Sequence, residues 1–374
     1  MKVLSIRVAI SSIILSLCIG QVYAWSLLSS QVNLLLAHDM SFAFSLAILF
    51  LGLSAAFMGK YVEKHPKETY ILSSILFVLS FIGSAIALKY RSVMWFYLTY
   101  GVIFGCSCGL GYVAPIKTLM LYFRHNKAIA SAIAILSFGL AKAICSPVYA
   151  YLTSNYKIDK VFIILAIIYG IPLFIAGLFF KKFPVDFIPK NSIKFNIKSI
   201  CNVNYIAIWL FFFSNIALGL AFISQEAQLY KHFDLSLSLI TLFCALSATF
   251  NALGRFGYAW ISDHTNRYMP YIILFVLSSI MCFSDISIAS VGMFVTSIMI
   301  INLNYGGGFS SLPSLLADKY GINNTSTIHS LTLSAWGIAG LASLYLKRLD
   351  LTTLLIVCGI IYLFNLILLY LAHK

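Results

Sequence analysis

Long apolar runs separated by short polar links restrict this chain to a helical fold embedded in a membrane. A helix that crosses ~30 Å of hydrocarbon needs about 20 mostly apolar residues, and it satisfies its own backbone hydrogen bonds. Of the 374 residues, 61% are hydrophobic and only 10% are charged, whereas charged residues make up ~25% of a typical soluble domain. We therefore predict an all-α membrane protein with twelve transmembrane helices. They are approximately Val8 to Leu28, Ser41 to Met58, Tyr70 to Leu88, Val93 to Pro115, Ala128 to Thr153, Val161 to Phe180, Tyr205 to Ser224, Leu237 to Ile261, Met269 to Phe283, Ile286 to Ser311, Ile328 to Leu346 and Leu351 to Ala372.

The predicted helices fall into two related halves of six. The longest polar link is rich in lysine and contains Pro184 and Pro189, which prevent a continuous helix. It divides the chain into an N-terminal half (1–180), a basic cytoplasmic linker (181–204) and a C-terminal half (205–374). Two such halves are typical of an alternating-access transporter whose site lies between them near the middle of the membrane. One constant offset relates residues of the first half to identical residues of the second: Gly109 and Gly307, Pro115 and Pro313, Tyr122 and Tyr320, Gly139 and Gly337, Ala141 and Ala339.

The basic composition is explained by membrane topology. The formal net charge is +14, and the Lys and Arg residues lie mostly in the short links. Placing both termini in the cytoplasm puts most of the 25 Lys and Arg residues on the cytoplasmic side, as the positive-inside rule requires. This predicts a multi-pass protein of the bacterial inner membrane and no nucleic-acid partner. The first apolar run resembles a secretory signal that ends at Ala24, but it continues through Leu28, so we interpret it as a retained helix.

The chemistry-bearing residues are not arranged as in an enzyme. The eight Cys residues are scattered, and none forms a CxxC pair or a cluster with His. No nucleophile with its base and no phosphate-binding loop is present in the sequence. We therefore expect no catalytic residue, no metal site and no cofactor.

Two basic residues, Lys142 and Arg255, lie inside apolar runs. A charge at the centre of a bilayer costs roughly 3 kcal/mol on insertion scales, so it is usually kept for a task such as holding a substrate of opposite sign. We expect no carboxylate at equal depth, because Glu226 falls at the outer end of the seventh helix. Asn251 lies one turn from Arg255 on the same helical face. Two alternatives remain open: Arg255 belongs to the cytoplasmic loop, or Lys142 has a structural role and pairs with backbone carbonyls or a distant group.

Two loops carry small residues, then an acid, then bases, at equivalent places in the two halves. One runs from Gly59 to Lys67 after the second helix, and the other runs from Gly254 to Arg267, from the last part of the eighth helix into the loop after it. They resemble the loop signature of the major facilitator superfamily, which is well kept in the second copy and altered in the first, where Glu63 replaces the usual Asp. In that superfamily the acid and the base latch neighbouring helices in one access state. The resemblance implies gating residues at Gly59, Glu63, Lys64, Asp263 and Arg267.

A narrower resemblance spreads from the first helix to the eleventh. Several segments are similar, in consistent order, to signatures of the oxalate/formate antiporter family. They are Gly20-Gln21-Val22-Tyr23-Ala24-Trp25-Ser26, Tyr122-Phe123-Arg124, Ser137-Phe138-Gly139, Asn251-Ala252-Leu253-Gly254-Arg255, Tyr305-Gly306-Gly307-Gly308-Phe309 and Asp318-Lys319-Tyr320-Gly321.

This resemblance implies exchange or uptake of small carboxylates by twelve helices. In the family's oxalate carriers an Arg of helix eight and a Lys of helix eleven neutralise the dianion, and aromatic side chains enclose it. Arg255 falls in the matching stretch of helix eight. Helix eleven has no Lys or Arg before Lys347 at its outer end, which puts oxalate itself in doubt. We predict that Lys142 supplies the second positive charge.

The sequence thus predicts a monomeric secondary transporter of a small organic anion, a mono- or dicarboxylate, that works in the lipid bilayer by exchange or facilitated transport. One alternative is a proton-coupled carrier of monocarboxylates or other metabolites that uses Glu226, and another is a substrate sensor that does not transport. The predicted substrate-binding residues are Lys142, Arg255, Asn251, Tyr23, Trp25, Gln21, Tyr112, Tyr305 and Trp336.

Overall fold

The computed structural model describes residues 2–122, 127–180, 202–287 and 290–373, and every regular element in these ranges is helical. We number the long elements in chain order. They are α1 (Lys2–Ile19, Gly20–Ala24 and Trp25–Leu36), α2 (Ser41–Phe57), α3 (Pro66–Lys89), α4 (Val93–Phe96, Tyr97–Ile103 and Phe104–Tyr122), α5 (Lys127–Asn155), α6 (Ile158–Phe179), α7 (Val203–Ile223), α8 (Leu237–His264), α9 (Met269–Ser287), α10 (Val291–Tyr320), α11 (Ile322–Thr332 and Ser334–Leu346) and α12 (Leu351–His373). Two short helices, Gly59–Lys64 and Glu226–Lys231, follow α2 and α7.

A helix occupies each of the twelve predicted positions. Within the described ranges, nine helical stretches are long and apolar enough to cross a membrane, and α2 is a shorter apolar helix of 17 residues. That α2, α10 and α11 cross the membrane therefore remains a prediction from the sequence. The predicted linker lies outside the described residues up to position 201, and so do Phe123 and Arg124 of the predicted family signature.

Several predicted helix ends are wrong, and a capping hydrogen bond explains one of them and a glycine conformation another. The tenth helix was expected to begin at Ile286, but α9 continues to Ser287 and α10 begins at Val291. The Ser290 hydroxyl accepts a hydrogen bond from the Met293 amide at 3.2 Å, so it caps the start of α10. At the other end, Gly321 adopts φ 82°, a conformation that favours glycine, and it separates α10 from an α11 that begins earlier than predicted.

The outward surface of the bundle is apolar. On α6, for example, Ile171 and Phe174 are 57% and 67% exposed. Exposed side chains of this kind are unfavourable in water but suit contact with lipid tails. The protein is therefore a multi-pass membrane protein whose described helices present apolar faces to the bilayer.

Two helix pairs make the most extensive contacts between the set α1–α6 and the set α7–α12. They are α2 with α11 and α5 with α8. Close approach in the first pair depends on glycine, because a Cβ added to Gly52 would lie 2.2 Å from the Gly337 nitrogen. The second pair positions the candidate site.

The bundle has two ends. One end holds His373, near the C-terminus, and we call it the terminal end. There the His373 ring of α12 lies 4.8 Å from the ring of Tyr268, which precedes α9. At the opposite end Asp39, after α1, lies 3.8 Å from Lys347, after α11. The sequence predicts that the terminal end is cytoplasmic.

Candidate functional site

Arg255 lies on the face of α8 that packs against α5, and it is only 3% exposed. Its Nε donates to Asn251 Oδ1, one turn earlier, at 3.0 Å. Gly139 of α5 faces this pair, since a Cβ added there would lie 3.1 Å from Arg255 Nε and 3.2 Å from Asn251 Oδ1. Asn251 thus orients the guanidinium, and Gly139 leaves room for it.

The two terminal nitrogens of Arg255 make no hydrogen bond of ordinary geometry within the described part of the chain, although the Tyr112 hydroxyl lies near enough to interact with the guanidinium. A buried charged donor without a partner is costly. The guanidinium presents several N–H groups in a planar fork that matches the two oxygens of a carboxylate. The site can therefore bind an anionic group through the free edge of Arg255.

Aromatic rings surround this guanidinium. Its central carbon lies 5.4 Å from the centre of the Phe309 ring and 6.0 Å from that of Phe138. The Trp336 ring contacts Phe309, Phe138 and Tyr112, with centroids 4.7, 6.0 and 5.0 Å away. The aromatic cage, as we call it, consists of Tyr23 (α1), Tyr112 (α4), Phe138 (α5), Tyr305 and Phe309 (α10) and Trp336 (α11).

The cage is built from both sets of helices. Tyr23 and Tyr305 join them directly, because their hydroxyl oxygens are 2.9 Å apart and hydrogen-bonded. The Trp336 indole nitrogen is buried and has no partner among the described residues, so it is a second donor available to a ligand. Such a cage can hold the carbon skeleton of a small molecule while its polar end meets Arg255.

The structure brings four of the predicted aromatic residues together and leaves one apart. Tyr23, Tyr112, Tyr305 and Trp336 belong to the cage. Trp25 instead packs against Tyr100 at 4.8 Å and Phe96 at 6.2 Å. Gln21 is buried, and both its side-chain polar atoms lack a partner within the described ranges.

Sequence reasoning missed Phe138 and Phe309 as cage members. Both stand in quoted family segments, and Phe309 follows Tyr305 by one helical turn. That spacing places the two rings on one face of α10, and their centroids are 5.2 Å apart. A check of helical spacing around the predicted aromatics would have found Phe309.

Lys142 forms a buried ion pair with Glu226. The Lys142 ammonium contacts the Glu226 carboxylate, and the two side chains are 2% and 0% exposed. The expectation that no carboxylate lies as deep as Lys142 is therefore wrong. After α7 ends at Ile223, a short turn begins the helix Glu226–Lys231, and its first residue points to α5. The sequence placed Glu226 at a helix end but could not show that the chain turns towards α5.

Lys142, Asn251 and Tyr23 line one central space with Gly139, and this space is too small to admit a water molecule. The Lys142–Glu226 pair and Arg255 are thus parts of one site, since Asn251 contacts Arg255 and lines the same space as Lys142. The site is closed in this structure, and transport requires it to open.

Towards the opposite end of the bundle, the segments that follow α7 and α11 contact α1 and the loop after it. Gln228 Nε2 donates to Ser26 O at 3.2 Å and contacts the Ser29 hydroxyl. Partial burial alone would raise the pKa of Asp39, but hydrogen bonds from Ser41 and the charge of Lys347 lower it below its usual value. These polar contacts hold the two helix sets together at this end.

At the terminal end, Arg267 joins α8 to α10. Its Nη1 lies 2.5 Å from Asp263 Oδ1, and its Nε lies 2.7 Å from Asp318 Oδ2. Partial burial would lower the pKa of Arg267, but hydrogen bonds to Asp318 and Asp263 raise it above its ordinary value. Sequence reasoning named Asp263 and Arg267 as gating residues but missed Asp318, although Asp318 stands in a quoted family segment.

The first copy of the loop is described in part, and the Tyr61 and His65 rings lie 4.9 Å apart. Gly59 begins the helix Gly59–Lys64. The side chains of Glu63 and Lys64 lie outside the described residues. Among the described residues, no three His, Cys, Asp or Glu side chains come together in a way that could hold a metal ion.

A buried site between two sets of membrane helices is the arrangement of a membrane transporter. The sequence matches the family described as Major Facilitator Superfamily over residues 4–344. The chain belongs to the major facilitator superfamily, whose members are transporters and not enzymes.

Two curated proteins are similar to this chain. The uncharacterized MFS-type transporter YhjX of Escherichia coli (strain K12) is 25% identical over 353 residues, which are 89% of this chain and 85% of YhjX. The oxalate:formate antiporter of Oxalobacter formigenes is 22% identical over 313 residues, which are 81% of this chain and 74% of the antiporter. The second similarity agrees with the resemblance to the oxalate/formate antiporter family.

Solved structures share the fold. The xylose transporter XylE from E. coli, in a partially occluded inward-open conformation, superposes with a TM-score of 0.71 at 13% identity, covering 98% of this chain and 99% of XylE. The nucleoside transporter NupG superposes with a TM-score of 0.70 at 14% identity, covering 98% of this chain and 97% of NupG. The predicted major facilitator fold is therefore confirmed.

Proposed function

We propose that this protein carries a small organic anion across the membrane by alternating access, with Arg255 as the residue that binds the anionic group. The observation that carries the proposal is the buried guanidinium, whose terminal nitrogens make no hydrogen bond of ordinary geometry within the described ranges and which lies inside the aromatic cage. A charge buried in a membrane protein usually pairs with another group or serves a substrate, and the terminal nitrogens of Arg255 are not paired with a carboxylate among the described residues.

The relatives support a carboxylate as cargo. The oxalate:formate antiporter by its printed name exchanges two small carboxylates, and Arg255 stands in the segment that resembles its family. Lys142 as a direct substrate ligand stays a prediction, because its ammonium contacts Glu226 in this structure. The same proposal includes transport by exchange or facilitated diffusion, a monomeric carrier and a location in the inner membrane with both termini cytoplasmic. The positive-inside distribution of Lys and Arg supports that orientation.

Counterflow in proteoliposomes tests the proposal. Vesicles preloaded with an unlabelled carboxylate are diluted into buffer that contains a labelled carboxylate, and uptake of the label is measured. The carboxylates compared are formate, glyoxylate, oxalate, pyruvate, malonate and lactate. We expect the wild type to exchange members of the panel and Arg255→Gln to lose exchange. Arg348→Gln is the matched control, because Arg348 is exposed at the end opposite the termini and stacks on Tyr345 at 5.5 Å.

Proton-coupled transport of an anion is the second candidate, and the burial of Glu226 favours it. A buried carboxylate that contacts the site can carry a proton between access states. The charged and titratable groups around Glu226 are Lys142, Tyr230 and Cys244. An inward-directed proton gradient would then stimulate uptake in the wild type, and Glu226→Gln would abolish the stimulation. Equal uptake with and without the gradient favours exchange instead.

A further inference from the structure

We propose that Glu226 sets the charge of the cargo, so that the site accepts anions with one negative charge and rejects those with two. This inference rests on the proposed function, because it assumes that an anion binds at Arg255. It assigns a role in specificity to Glu226, a residue outside the predicted site.

The first step is the charge of the site. Among the described residues, the buried charged side chains are Lys142, Arg255 and Glu226. Glu226 contacts Lys142 and neutralises it. One net positive charge remains, and it lies on Arg255. A monoanion would leave the closed site neutral, whereas a dianion would leave one negative charge buried, which is strongly unfavourable.

The second step concerns the alternative in which Lys142 leaves Glu226 to bind a second carboxylate. Glu226 is fully buried, and its Oε1 already lacks a hydrogen-bond partner within the described part of the chain. Loss of Lys142 would leave the whole carboxylate buried without a counter-ion. Breaking a buried ion pair by removing one partner costs about 3–5 kcal/mol. Lys142 therefore stays with Glu226 and does not move to a second carboxylate of the cargo.

The third step is independent of this charge balance and concerns the cage. A carboxylate on the free edge of Arg255 leaves the rest of the molecule against the rings of Trp336, Phe309 and Phe138. The faces of aromatic rings carry partial negative charge. The rings bring no positive charge that could balance a second carboxylate, since the Trp336 N–H is a neutral donor, and they suit a methyl, hydroxymethyl or carbonyl-bearing carbon. The cage therefore also favours a single charge at one end of the cargo.

The test compares pairs of probes of equal carbon number, glyoxylate with oxalate and pyruvate with malonate, as competitors in counterflow. The wild type should be inhibited by each monoanion at a concentration more than about tenfold below that of its dianion, because one uncompensated unit charge changes affinity by roughly 30-fold if a separation of ~8 Å and an effective dielectric of ~20 are assumed. Glu226→Gln adds one net positive charge, so it should shift the ratio towards the dianion by at least about tenfold.

The double variant K142Q/E226Q is the matched control. It removes the ion pair but keeps one net positive charge, so its preference should match that of the wild type. This variant also keeps the proposal open to contradiction if Glu226→Gln does not fold, as judged by size-exclusion chromatography. A double variant that prefers the dianion contradicts the proposal, and so does a ratio that Glu226→Gln leaves unchanged.

The outcomes separate this inference from the proposed function. If the wild type exchanges carboxylates but prefers dianions, Glu226 does not set the charge and the anion carrier stands. If the wild type exchanges no carboxylate of either charge, the proposed function fails, and this inference fails with it.

Discussion

The ammonium of Lys142 on α5 contacts the carboxylate of Glu226, the first residue of the short helix after α7. This ion pair is fully buried and joins the two sets of helices beside Arg255. Alternating access moves such sets relative to each other. During each cycle the two side chains must therefore either separate or move together while the helices around them rearrange.

The pair should stabilise the closed protein mainly by avoiding an unpaired charge. Lys142→Gln alone leaves Glu226 buried without its partner, and we expect a loss of about 3–5 kcal/mol in stability together with loss of anion transport. K142Q/E226Q should recover most of the stability, because both charges are gone. Thermal unfolding of the detergent-purified proteins measures this. Equal melting temperatures for the single and double variants would show that the pair is not coupled.

Gly139 should be required for the position of Arg255. A Cβ at this position would lie 3.1 Å from Arg255 Nε, so Gly139→Ala must displace the guanidinium or its Asn251 partner. We expect apparent substrate affinity in counterflow to fall by about tenfold, the value of one charged hydrogen bond at roughly 1.5 kcal/mol.

Gly257→Ala is the matched control for this change. Gly257 lies on α8, and a Cβ added there meets nothing within 4 Å. Ala also favours a helix over Gly by roughly 0.5–1 kcal/mol, so this variant should transport normally. If the two substitutions lower apparent substrate affinity equally, the effect of Gly139→Ala does not come from contact with Arg255.

The crossing of α2 and α11 should not tolerate a side chain at Gly52. An added Cβ would meet the Gly337 backbone nitrogen at 2.2 Å, and backbone atoms cannot move aside as a flexible side chain can. We expect Gly52→Ala to lower the melting temperature and the transport rate, with Gly292→Ala as the control because nothing lies within 4 Å of a Cβ there. A Gly52→Ala protein with normal melting and transport would contradict this close packing.

Arg267 should affect the rate of transport more than substrate binding. It links α8 and α10 through Asp263 and Asp318, but these ion pairs are exposed enough to contribute only ~0–1 kcal/mol each. Arg267→Gln should therefore fold normally, bind the same competitors with unchanged apparent affinity and transport more slowly. A loss of affinity equal to the loss of rate would place Arg267 in the binding site.

The sequence predicted the fold well because membrane helices depend on the length and polarity of single segments. It also singled out Arg255, Asn251 and four residues of the cage, and Arg255, Asn251, Tyr23 and Tyr305 stand in segments that resemble a known family; their role in binding stays a prediction. Position along one helix is enough to place such side chains near the middle of the membrane.

Pairing between distant segments could not be predicted in the same way. Lys142 and Glu226 are far apart in the chain, and their contact depends on how the segment after α7 turns towards α5. The link between Arg267 and Asp318 has the same origin, because it joins the ends of α8 and α10. Helix ends such as the start of α10 depend on a capping hydroxyl, which hydropathy does not register.

Direct binding of labelled monocarboxylates to the purified protein tests the central claim most directly. Glyoxylate, pyruvate and lactate are measured by equilibrium binding in detergent for the wild type, Arg255→Gln and Arg348→Gln. We expect the wild type and Arg348→Gln to bind at least one of these anions with equal affinity, and Arg255→Gln to bind it at least about tenfold more weakly, since a charged hydrogen bond is worth roughly 1.5–3 kcal/mol. An Arg255→Gln protein that is folded and binds with wild-type affinity would contradict the account.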